Sequence, residues 1–91
     1  MKHFRMLEIP GISYNRQGYI YFASMMYAEL PPEDQEELDG HCRRVGGVYW
    51  KALRDLMCTQ KPITRVIREH HIGSETTLYR LRRTYYEKFP W

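Results

Sequence analysis

The chain has 91 residues, with 14 Lys and Arg against 11 Asp and Glu and a formal net charge of +3. That length supports one domain with a modest core and leaves no room for a second, catalytic unit. No apolar run is long enough to span a bilayer, and Met1-Lys2-His3-Phe4-Arg5 lacks the apolar centre of a signal peptide, so a cytoplasmic protein with no membrane partner is expected.

In chain order, residues 1–17, with Pro10-Gly11 in their middle, read as an extended arm. Tyr19, Ile20, Phe22, Ala23, Met26, Tyr27 and Leu30 then recur near a helical period and stop at Pro31-Pro32, which predicts a first, aromatic helix. Pro32 suits an early helix position, and Glu33, Asp34, Glu36 and Glu37 load the first turns with the charge a helix dipole favours. A second helix is therefore expected to run to about Val45 and to end at Gly46-Gly47. Its acidic face, Glu33 to Asp39, reads as solvated, or as a contact for a basic partner. Val48, Tyr49, Ala52, Leu53, Leu56 and Met57 give the stripe of a third helix, with Trp50 one residue off it, as a core side chain or a dimer anchor.

Lys61-Pro62 then opens a fourth helix of about two turns, with Ile63, Val66 and Ile67 on its inner face. Ile72 is placed as an apolar plug, Gly73 as the residue free to take positive φ, and Ser74 as the N-cap of a fifth helix. At about 100° per residue, Leu78, Leu81, Tyr85 and Phe89 cluster inward, while Thr76, Arg80, Arg83 and Glu87 face outward. Tyr79, Arg82 and Tyr86 fall on one flank, Thr77 and Lys88 on the other. Five helices with no strand pattern define an all-α fold and a single domain, 1–91. Helices three to five form a helix-turn-helix unit over 47–91, and 18–45 forms an added N-terminal helical layer.

Charge is uneven along this plan. From Lys61 onward seven basic residues face three acidic ones, whereas the chain before it carries seven against eight. Arginine can donate two hydrogen bonds to guanine or clamp a phosphate, threonine can meet a phosphate or a thymine methyl, and a helix N-terminus offers free N–H groups to an anion. Arg65, Arg68, Ser74, Thr76, Thr77, Tyr79, Arg80, Arg83 and Lys88 are the residues expected to contact double-stranded DNA, with Arg80 and Arg83 on base edges or phosphates.

The stretch Ile72-Gly73-Ser74-Glu75-Thr76-Thr77-Leu78-Tyr79-Arg80-Leu81-Arg82-Arg83 resembles the turn and recognition helix of bacterial and phage helix-turn-helix regulators, in which a small-residue turn precedes a Thr-aliphatic-Tyr-Arg run. The likeness covers the last third of the chain. Such regulators carry glycine before the turn's aliphatic residue, whereas here His71 precedes Ile72, and the step to Leu78 is one residue longer. The resemblance implies a sequence-specific transcriptional regulator of a phage, prophage or mobile element, and a homodimer on a two-fold site suits so small an interface. The rival reading is a helical adaptor that binds a protein, such as an RNA polymerase subunit or host factor, through its aromatic N-terminal layer.

Cys42 and Cys58 lack a close pairing motif and read as reduced, partly buried thiols. His70-His71, with His41-Cys42 and Cys58 elsewhere, lack the paired-cysteine spacing of zinc folds, so no metal site is expected; the two histidines suit a helix C-cap or, when charged, a phosphate contact. No nucleophile, base and orienting group can be assembled and no phosphate-binding glycine loop is present, so neither enzymatic activity nor a cofactor is expected.

Overall fold

The structure, a computed structural model, describes residues 6–91. Among these residues it is all-helical: α1 (Tyr14–Met25), α2 (Pro32–Gly46), α3 (Trp50–Cys58), α4 (Ile63–Glu69) and α5 (Glu75–Glu87), with 3₁₀ turns at Tyr27–Glu29 and Gly47–Tyr49. One hydrophobic cluster takes Ile20 from α1, Leu38 and Cys42 from α2, Leu53 and Leu56 from α3, Val66 from α4 and Leu78 and Tyr85 from α5. The N-terminal helices thus share the core of the C-terminal ones.

The last four helices begin and end close to where the sequence places them, because each carries a local signal. Pro32 stands at the start of α2, Gly47 closes it at φ 56°, and Pro62 precedes α4. The first helix departs from expectation at both ends. It starts at Tyr14, where the Ser13 hydroxyl accepts from the Arg16 N–H at 3.1 Å, so residues 14–17 belong to a helix and only 6–13 of the described residues form the arm. The first five residues of the expected arm lie outside the described residues. At its other end α1 stops at Met25, well before the prolines. There α2 captures the chain: the Gln35 amide donates to the Tyr27 carbonyl at 2.8 Å and the Tyr27 hydroxyl donates to Asp39 at 2.9 Å.

Gln17 explains why the arm lies down. Its buried side-chain amide accepts from the Leu7 N–H at 2.7 Å and donates to the carbonyls of Leu7 and Ile12 at 3.0 and 3.1 Å. Backbone groups that would otherwise need water are thereby satisfied, and Ile9 enters the core. The chain turns at Pro10-Gly11, where Gly11 at φ 83° supplies a conformation that side chains resist.

Two further polar side chains are buried. The Ser24 hydroxyl donates to the Ile20 carbonyl at 2.7 Å and shares a 2.6 Å hydrogen bond with the Tyr85 hydroxyl, joining α1 to α5. His41 Nε2 meets the Tyr85 carbonyl at 2.9 Å, and its ring packs 4.5 Å from that of Tyr85. Burial lowers the pKa of His41, with Arg44 adding to the effect against the opposing bond to Tyr85. Cys42 and Cys58 are free, buried thiols; a hydrogen bond with Cys58, then burial, push the Cys42 thiol well above its usual range. Trp50 is half-buried against the core, beneath the guanidinium groups of Arg43 and Arg54 at 4.7 and 5.2 Å.

Candidate nucleic-acid interface

The α4–α5 pair is built around one helix stop. The His70 N–H donates to the Val66 carbonyl at 3.0 Å, the His71 N–H to Arg68 at 3.4 Å, and the Ile72 N–H reaches back to Ile67 at 3.0 Å. These last two bonds are the paired closure of a Schellman motif, which demands a left-handed residue just before the apolar plug. That residue is His71, at φ 54°, and not Gly73, whose φ is not positive. The sequence expectation lay two positions too far along the turn: the geometry puts the left-handed residue before Ile72, where histidine is among the side chains that tolerate it. Ile72 itself is buried, as a plug must be.

The stop is bolted to α3. Asp55 Oδ2 lies 2.7 Å from His70 Nε2 and accepts from Lys61 Nζ at 3.2 Å, while Lys61 and Arg65 both donate to Glu69 at 2.8 Å. Partial burial works against ionising Asp55, but the bonds from His70 and Lys61 outweigh it and hold its carboxyl below the ordinary value. Glu69 is drawn down to about 2 by Lys61 and Arg65. Nothing local marks Asp55 for this role, since its partner His70 is 15 residues away.

From that stop α5 departs with a defined face. Ser74 caps it, its hydroxyl accepting from the Thr76 N–H at 3.2 Å. Leu78 and Tyr85 are fully buried and Phe89 nearly so, whereas Leu81 is only partly covered. Tyr86 differs from the flank position read for it: it is buried, and burial pushes its hydroxyl up to about 12. Arg82, beside it, is half-buried, with its guanidinium 5.0 Å from the Tyr79 ring centroid. Burial lowers the pKa of Arg82, although a guanidinium stays charged at neutral pH.

Every residue expected to touch DNA retains solvent access: Arg65, Arg68, Ser74, Thr76, Tyr79, Arg80, Arg83 and Lys88 are exposed and Thr77 is intermediate. Their availability is unequal. Arg65 is engaged with Glu69, and Arg83 with Glu87 at 3.4 Å, both four residues apart on one helix. Exposed pairs of this kind are weak and rearrange at little cost. The side chains of Arg80, Arg68 and Lys88 have no ion-pair partner among the described residues, which makes Arg80 the open cation at the centre of the outer α5 face.

The arm reaches the edge of this face: Met6, Leu7, Glu8, Ile9 and Pro10 line an open groove of about 650 Å³ with Arg83. Among the described residues no helix is long and apolar enough to cross a membrane. No protein-family model, curated protein or solved structure matches the chain.

Proposed function

We propose that the chain binds double-stranded DNA through the outer face of α5 and acts as a small, sequence-specific regulator of the helix-turn-helix kind. The observation that carries this reading is Arg80, without an ion-pair partner among the described residues, set between exposed Thr76 and Arg83 on a helix whose opposite side is locked in the core. Such a helix can enter a major groove without unfolding anything behind it. The α5 N-terminus, capped by Ser74, leaves further N–H groups for a phosphate, and Arg68 and Lys88 add cations near its two ends.

Selection of bound duplexes from random oligonucleotides, followed by polarisation titrations, tests the reading. Arg80→Ala is expected to weaken specific binding by about 1–3 kcal/mol, and log K should fall steeply with log salt. No enriched duplex, or affinity flat in salt, would remove it. A second reading, a protein-binding adaptor, is favoured by Tyr19 on α1 and Met26 just after it, each 50% exposed. A protein complex formed there would respond weakly to salt and lose affinity on Tyr19→Ala while ignoring Arg80→Ala.

A further inference from the structure

Helix α2 carries one exposed stripe whose ends are opposite in sign. Leu38, His41, Cys42 and Gly46 face the core, while Glu33, Glu36 and Glu37 occupy one end of the solvent side and Arg43 and Arg44 the other, with Gly40 midway. Residues three and four apart share a helix face, so these positions form one continuous line. Two such lines, laid antiparallel about a two-fold axis at Gly40, bring together residues whose numbers add to the same total. Glu36 then faces Arg44 and Glu37 faces Arg43, and each contact occurs twice.

No backbone conformation among the described residues calls for glycine at position 40. Glycine inside a helix is destabilising relative to alanine, its φ here is not positive, and an added Cβ would meet only the flexible tip of Arg44 at 3.3 Å. Gly46, by contrast, sits against Leu53 and Trp50. A missing side chain at the axis lets two helix backbones approach closely. Arg44 and Glu33 also have no ion-pair partner among the described residues, whereas Glu36 pairs with Arg43 at 3.2 Å and Glu37 accepts from Trp91 at 2.8 Å. In the antiparallel pair Arg44 comes opposite Glu36 of the second copy, one turn from the equally unpaired Glu33.

We infer that the α2 face is where two copies of this chain associate, antiparallel and centred on Gly40. Charge complementarity sets the register and excludes the parallel arrangement, in which acid would face acid and base would face base. The inference stands whether or not α5 binds DNA.

Sedimentation of the full chain tests it. The parent is expected to show a concentration-dependent mass approaching twice 11.1 kDa. Arg44→Glu and Glu36→Arg each place like charges at both contacts and should each be monomeric. Mixed in equal amounts they should recover the dimer, because both contacts then join a carboxylate to a guanidinium. That recovery requires both variants to be folded, so it separates the interface from a stability defect. Gly40→Leu, with an unchanged far-ultraviolet circular dichroism spectrum, should also be monomeric. A parent that stays monomeric up to its solubility limit, a mixture that fails to re-associate, or a dimeric Gly40→Leu would overturn the proposal.

Discussion

The two sides of α5 are made of similar lengths of chain and opposite physics. Its inner side, Leu78, Tyr85 and Tyr86, is buried, and the Tyr85 hydroxyl and carbonyl are both committed, to Ser24 and to His41. Its outer side carries Thr76, Arg80 and Arg83 in solvent, with Arg83 held only by an exposed carboxylate. Stability therefore resides on one side and the proposed recognition chemistry on the other, and a substitution on either should leave the other property untouched.

Leu78→Ala should break the inner side most severely, lowering stability by about 2–5 kcal/mol in denaturant unfolding, because a fully buried leucine leaves a cavity. A variant that unfolds with the parent would mean the helix is phased differently. Arg80→Ala is the mirror experiment: melting unchanged, specific duplex affinity down by about 1–3 kcal/mol. Arg83→Ala should cost less than Arg80→Ala, since Arg83 already shares its charge with Glu87; equal losses in the two titrations would erase the distinction drawn between them. Tyr85→Phe removes one hydroxyl from the inner side and should cost about 0.5–1.5 kcal/mol of stability, with binding intact.

Acid probes the inner side without mutation. His41 is held neutral by burial, its folded pKa lying below the ordinary 6.5, so the unfolded chain takes up the proton first. The stability this represents is fully present above pH 6.5 and is lost as pH falls from there toward the lower folded pKa. Thermal melts of the parent should decline across that window and those of His41→Gln should be flatter; identical profiles would mean His41 does not titrate differently on folding. The smallest effect concerns the turn that aims α5. A left-handed side-chain residue costs roughly 1–2 kcal/mol, and glycine's extra unfolded-state freedom returns roughly 0.4–1 kcal/mol. His71→Gly should thus raise stability by about 0.5–1 kcal/mol in denaturant unfolding, and a destabilised variant would mean that the His71 side chain holds the turn.

The contrast between Gly47 and His71 shows what was legible in the sequence. Both close a helix with positive φ, at 56° and 54°, yet only the first advertises itself by residue type. Pro62, Ser74 and the spacing of Leu78 and Tyr85 announced α4 and α5 because caps and periodicity are local. The start of α1 was hidden, since Tyr14 to Gln17 shows no apolar rhythm and the cap at Ser13 stands alone as a signal. Gln17, Ser24, His41 and Asp55 were missed for a common reason: each is fixed by a partner distant in sequence or by a backbone group that has no letter of its own. Tyr86 turned inward for the same reason, as burial depends on which elements happen to cover that flank. For the outer face, exposure followed from the helix phase, whereas the engagement of Arg65 and Arg83 depended on side-chain geometry.

The sealed thiols of Cys42 and Cys58 provide the chain with a built-in clock. An alkylating reagent can add mass only while the seam between α2 and α3 is open, so the pace of labelling reads the opening equilibrium of the native molecule directly, with no probe introduced.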